Sequence, residues 1–320
     1  SIHFIEDFKN ILHLISSKVD TFYINKNEHY RANSPVETRE DRFISWLLKK
    51  YPAHKVAKSN PILQRLRSIK HIDEINQIRK ACQITKKGFN RVLKFIKPDV
   101  WEYQIEAEFI HEFINNSSKG FAYSPIIASG KDNNVLHYVK NNKQCKHGEL
   151  ILMDVGAEYG NYSSDMTRTI PVSGHFSNRQ KEIYNTVLRV KNEATKLLTV
   201  GNNWKNFHDQ VGEIMTKELL DINLLDKADI KNQTKKNPAY KKYFMHGTSH
   251  HLGLDTHDYG LLEDLFLENM VFTVEPGIYI PKEGFGVRLE DDVVIQTKGE
   301  PINLMEDIPI EADHIEELMN

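Results

Sequence analysis

The stretch LILMDVGAEYGNYSSDMTRT, residues 150–169, decides how the rest of the chain is read. It begins as an apolar, strand-forming run with one carboxylate, Asp154, set inside it. A second carboxylate, Asp165, follows where the return strand of a hairpin belongs. Two later apolar runs repeat the anomaly: Glu275 lies in NMVFTVEPGIYI (269–280) and Glu290 in GVRLEDDVVIQT (286–297). Strand alternation puts Val271, Thr273 and Glu275 on one face, and Arg288, Glu290 and Asp292 on one face of the next strand.

An unpaired carboxylate in a core costs several kcal/mol, so these four acids need an answer. Arg168 and Arg288, on the same strands, suffice for two ion pairs. The alternative is metal, because four carboxylates carry a charge of about −4, which two divalent ions balance and one does not. Any one of these acids alone reads as a strand-end residue facing solvent; all four together do not. Oxygen-dominated ligation with one or two imidazoles suits Mn, Co, Fe or Zn.

The imidazoles sit in FMHGTSHHLGLDTHD, residues 244–258, which holds His246, His250, His251 and His257. His246 and His250 have the i, i+4 spacing of a zincin helix, but Gly247 and the lack of a Glu argue against one. By itself the stretch is equally a ligand cluster, a set of catalytic acids or a polar turn.

Around these runs the pattern is α+β with antiparallel hairpins. Residues 1–65 read as helices with one or two strands. A helical pattern starts at Leu66, marked by Ile72, Ile75, Ile78, Cys82, Phe89, Val92 and Ile96, and Pro98 stops it. A second helix covers about 101–116. FAYSPIIASG and NNVLHYV read as strands, as do the acid-bearing runs, and helices span about 177–199 and 204–220. A polar connection runs to about 242. Net charge of −2 with dispersed lysines gives no reason to expect nucleic acid. No apolar run approaches the ~18 residues of a membrane span. Two cysteines, Cys82 and Cys145, make no disulfide framework and fit a reducing cytosol; Cys82 reads as a small core residue.

The hairpin 150–169, the FMHGTSHHLGLDTHD segment, TVEPGIYI, GVRLEDDVVI and SPIIASGKDNNVLHYVKNN together resemble aminopeptidase P, the Xaa-Pro aminopeptidase branch of the pita-bread metallopeptidases. The resemblance runs in order from about Leu66 to the C-terminus. It implies a pita-bread fold, an antiparallel sheet flanked by helices, for residues 66–320, preceded by a partial or reduced N-terminal domain over 1–65. It implies two divalent ions, commonly manganese, held by Asp154, Asp165, His250, Glu275 and Glu290, with Asp165 and Glu290 bridging. The reaction implied is hydrolysis of the N-terminal Xaa-Pro bond of a peptide by a metal-bridging hydroxide. Glu275 or a bridging carboxylate would take the proton. His137, His246 and His257 match substrate-contacting histidines, Arg288 an arginine beside the bridging glutamate, and Tyr279 a tyrosine close to the site. His251 matches no ligand and reads as structural or exposed. A peptide substrate with proline second, a cytoplasmic location and a homo-oligomer, dimer or tetramer, complete the expectation. The alternatives are a prolidase acting on Xaa-Pro dipeptides and a non-catalytic pita-bread binding module, whose known examples have lost ligand residues that this chain keeps.

Overall fold

The computed structural model describes residues 2–26, 36–260 and 263–320. The chain divides into two compact units, 1–66 and 67–320. In the first, α1 (Phe8–Ser16) and α2 (Arg39–Lys50) accompany β1 (Thr21–Ile24) and β2 (Lys55–Lys58). The two strands pair in parallel, with Thr21 opposite Lys55. Phe22, Leu47 and Tyr51 make a small core of their own. Helix α3 (Asn60–Ser68) runs across the boundary.

The second unit opens with α4 (Ile72–Phe95) and α5 (Glu102–Asn115). Helix α4 starts at Ile72 rather than Leu66. The Glu74 carboxylate accepts from the His71 backbone N–H at 2.7 Å and closes the N-terminus as a capping box. Ile75, Ile78, Cys82, Phe89 and Val92 are buried as the period requires, whereas Ile72 is exposed.

Six strands follow: β3 (Gly120–Phe121), β4 (Ile126–Ser129), β5 (Leu150–Val155), β6 (Ala157–Tyr159), β7 (Tyr162–Ser163) and β8 (Met166–Pro171). Strand β5 is the middle of an antiparallel β4-β5-β8 sheet, and β6 the middle of β3-β6-β7. Gly160 and Asn161, both at positive φ (59° and 69°), make the tight turn from β6 to β7 that suits the twist of a hairpin. A Cβ on Gly156 would strike the Ser164 carbonyl, so the two arms approach this closely only at glycine. NNVLHYV is not a strand. Gly130, at φ 58°, turns the chain into a 3₁₀ helix (Gly130–Asn134), and the residues to 143 belong to no helix or strand.

Helices α6 (Asn178–Lys196) and α7 (Trp204–Asp221) come next, and the polar connection contains a short α8 (Lys227–Asn232) capped by Asp226. The last two apolar runs each break in two. NMVFTVEPGIYI gives β9 (Val271–Val274) and β10 (Gly277–Ile280); GVRLEDDVVIQT gives β11 (Phe285–Arg288) and β12 (Asp291–Val294). Strand β9 pairs with β12 and β10 with β11, all antiparallel. Pro276 has no N–H for a ladder, which accounts for the first break. β13 (Ile302–Asn303) and α9 (Ala312–Met319) complete the unit. One continuous core draws on α4 to α7 and both sets of strands.

Candidate metal centre

Asp154 is the one acid of the four that stands inside a strand. It lies on β5 opposite Ile126 on one side and Thr167 on the other. Asp165, Glu275 and Glu290 occupy the breaks between strands, so their backbones leave the ladders and their N–H groups find other partners. Asp165 donates to the Asp292 carboxylate (3.0 Å), Glu275 to the Thr248 carbonyl (2.8 Å) and Glu290 to the Thr167 carbonyl (3.1 Å). That last contact ties the β11–β12 break to β8 and brings the two hairpins' acids together.

The side chains converge. One ligand atom from each of Asp165, His250 and Glu290 lies within 4.8 Å of the others. His250 Nδ1 faces the His251 carbonyl at 3.0 Å, which places the proton there and leaves Nε2 toward the acids. That nitrogen is 3.4 Å from Asp165 and 3.9 Å from Glu275. Asp154 joins through Tyr123, whose hydroxyl reaches Asp154 Oδ1 at 2.7 Å and Asp165 Oδ1 at 2.5 Å. The structure therefore gathers all five residues of the expected ligand set in one place.

The residues fit a cation. Tyr123 has one proton to give to two carboxylates, so one of the two contacts is left without a hydrogen. Burial pushes the Asp165, Glu275 and Glu290 carboxyls up, Glu275 to about 7 and Glu290 well beyond the usual carboxylate range, and neighbouring carboxylates push the same way. Burial works against the His250 imidazolium, yet Asp165 and Glu275 outweigh it and lift the ring to about 9. Metal-free, the site holds protons where a cation would replace them. The donors, four carboxylates and one imidazole, suit Mn, Co, Fe or Zn.

Arg288 is buried beside the acids. It pairs with Asp154, donates through Nε to Thr167 Oγ1 (3.1 Å) and through an Nη to the Tyr279 hydroxyl (3.1 Å). Tyr279 in turn meets His246 Nε2 at 2.8 Å, while His246 Nδ1 faces the Gly247 carbonyl at 2.7 Å. Burial, helped by Arg288, lowers His246 to about 4, so the ring is neutral at pH 7 and its Nε2 accepts from Tyr279. The His257 ring lies 4.1 Å from the His250 ring, tilted to it by 44°, and is also lowered to about 4, by burial first and His250 second. His137 is exposed in the turn after the 3₁₀ helix, close enough for its charge to bear on both His246 and His257.

Arg168 answers none of the four acids, contrary to the ion-pair alternative. It is fully buried, bonds Asp291 at 2.7 Å and donates to the Glu290 and Thr167 carbonyls. Lys191 also meets Asp291, which together with Arg168 outweighs burial and holds that carboxyl below the usual carboxylate range. His251 is buried against Trp204 and Phe272, a core histidine rather than an exposed one. Cys82 does more than fill space, since its thiol points at Asp292 across 3.4 Å. Sequence reasoning named Asp292 without giving it a role, and missed Tyr123 and Thr167, whose hydroxyl donates to Glu290 Oε2 at 2.6 Å.

Antiparallel strands that carry a buried cluster of acids and one imidazole, backed by long helices, make up the pita-bread fold. The chain belongs to metallopeptidase family M24, whose family model matches residues 76–297. It is 39% identical over 272 residues to the Xaa-Pro aminopeptidase of Haemophilus influenzae, covering 81% of this chain and 63% of that protein. The chain thus spans less than two thirds of that relative's length. Proline aminopeptidase P II of Yersinia pestis superposes with a TM-score of 0.86 at 31% identity, covering 98% of this chain and 74% of that one. Zinc-substituted Escherichia coli aminopeptidase P in complex with product gives 0.87 at 30% identity over the same shares.

Proposed function

We propose that residues 66–320 form the catalytic domain of a dinuclear-metal aminopeptidase that removes the N-terminal residue of peptides whose second residue is proline. The convergence of Asp154, Asp165, His250, Glu275 and Glu290 carries this reading, and these five residues would hold the two ions. Names of the relatives point to the same substrate class. When bound, two divalent ions, manganese by preference, would polarise the scissile carbonyl and lower the pKa of the attacking water.

The chain's own groups do the rest. Glu275, half-buried, would take the proton of the water on the oxygen that faces His246. His257 and His246 are neutral rings and act as hydrogen-bond donors rather than cations, His246 by exchanging the Gly247 carbonyl for a peptide oxygen. Arg288 and Tyr279 fix His246 and Asp154 at their other ends. His137, exposed at the rim, meets the peptide backbone. Two buried free thiols, Cys82 and Cys145, fit a cytoplasmic setting, and no helix among the described residues is long and apolar enough to cross a membrane. The exposed Ile2, Phe4, Ile5 and Leu14 supply apolar surface for a homo-oligomer, which light scattering measures.

The test is manganese-dependent turnover of an Xaa-Pro dipeptide and of Xaa-Pro-Xaa peptides of increasing length. Faster cleavage of the longer peptides is expected. Cleavage of the dipeptide alone makes the protein a prolidase, and no cleavage with no bound metal after supplementation returns the binding-module reading.

A further inference from the structure

Glu102 is a fully buried carboxylate with no part in the chemistry above. It sits in the first turn of α5 and accepts four hydrogen bonds. Ser129 gives two, from its N–H and its hydroxyl, both at 2.7 Å. The Tyr138 hydroxyl gives the third at 2.8 Å and the Lys143 N–H the fourth at 3.0 Å. All four donors come from one short piece of chain, and that piece carries His137.

Residues 135–143 belong to no helix or strand, so no ladder holds them. Apart from one backbone bond to α5, from the Glu102 N–H to the Lys143 carbonyl at 2.9 Å, what fixes them is side chains. On the near side Asn133 Oδ1 accepts from the Gly286 N–H at 2.6 Å, which pins the end of the 3₁₀ helix to β11. On the far side Tyr138, the residue after His137, is buried against Ile126, Ala128 and Leu152 with its hydroxyl on Glu102. Asn141 secures the exit by accepting from the Ile127 N–H (3.0 Å) and donating to the Pro125 carbonyl (3.0 Å). His137 itself is exposed and hangs between the two pins.

We propose that Glu102 is the positioning residue for His137, setting the distance of that imidazole from the peptide by clamping Ser129, Tyr138 and Lys143 to the start of α5. The proposal rests on the reading of His137 as a substrate contact. Glu102→Gln keeps the shape but turns one acceptor into an N–H₂ group. That group faces the Lys143 N–H, a donor against a donor, and the Tyr138 hydroxyl must turn from donor to acceptor to keep its contact, so the Lys143 end of the clamp is released.

The experiment is a double-mutant cycle on the full, manganese-loaded chain, with kcat/KM for an Xaa-Pro-Xaa peptide and bound manganese read for each protein. His137→Ala and Glu102→Gln are each expected to lower kcat/KM with metal content unchanged, the latter by up to about a hundredfold, the scale of a misplaced group. In the His137→Ala background, Glu102→Gln should cost nothing more. Amide hydrogen exchange over 129–143 should rise in Glu102→Gln. An active Glu102→Gln beside a crippled His137→Ala, or losses that multiply in the double variant, overturns the proposal and leaves the reading of His137 intact. An unimpaired His137→Ala removes that reading, and this proposal with it. Should Glu102→Gln fail to fold, Tyr138→Phe removes only the hydroxyl and enters the same cycle.

Discussion

Lys70 and Asp258 form an ion pair at 3.1 Å in which each side chain is 1% exposed, and Asp258 follows His257 directly. The pair therefore anchors the loop that carries His257, and its two ends are not equivalent. Asp258 has a second partner, Arg67, 2.5 Å from Oδ1, whereas the next carboxylate to act on Lys70, Glu74, does so only at longer range. Lys70→Met leaves Asp258 answered by Arg67, so the loss is about that of one charged hydrogen bond, about 1.5–3 kcal/mol. Asp258→Asn leaves a buried ammonium without its counter-charge, which costs about 3–5 kcal/mol. For a unit of this size that is a fall in Tm of about 6–20 °C, against about 3–12 °C for Lys70→Met.

The pH dependence separates the two variants further. Burial already pushes Lys70 down, and Asp258 opposes it. Without Asp258 the folded lysine falls further, while the unfolded one keeps its ordinary value of about 10.4. The unfolded state then binds more protons, so Asp258→Asn should regain stability relative to the parent as pH rises from 7 towards 10. Thermal unfolding at pH 7, 8 and 9 measures both effects. Equal losses in the two variants, or a deficit in Asp258→Asn that does not move with pH, would refute the asymmetry of the pair.

Metal-free protein should lose stability as pH rises. Glu275 folds with a pKa of about 7 and His250 with about 9, both above their unfolded values, so stabilisation present near pH 4 fades through pH 7 to 9. Manganese should raise Tm and flatten that slope; an apoprotein whose Tm is level from pH 5 to 9 contradicts this. Glu290→Ala should lose bound manganese and activity together, as measured by elemental analysis and peptide turnover, and normal values of both would dismiss Glu290 as a ligand. Tyr123→Phe should retain metal once loaded but bind manganese with altered affinity in titrations, because the hydroxyl no longer spans Asp154 and Asp165; an unchanged isotherm would show that Tyr123 does not tune the site.

The acids were legible because a carboxylate in an apolar run is expensive wherever it lies. Their exact setting was less so, although Pro276 stood beside Glu275 in plain view and cannot donate to a central ladder. Tyr123 and Thr167 carry no local signal, since each acquires its partner only when a remote segment arrives; Asp292 stood out as an acid beside Glu290, but its partner, the Asp165 N–H, also comes from a remote segment. The fate of Arg168 was there to be read. In MTRT, alternation puts Thr167 and Thr169 on one face and Arg168 on the other. Asp154 stands opposite Thr167, so Arg168 had to turn away from the acids, and it does, to Asp291. Of the buried bases, Arg168 and Lys191 are thereby spent on Asp291, and Arg288 meets Asp154. Among the described residues, Asp165, Glu275 and Glu290 are left with the His250 ring, so ion pairing leaves the site short of positive charge, and a bound cation would make up the difference.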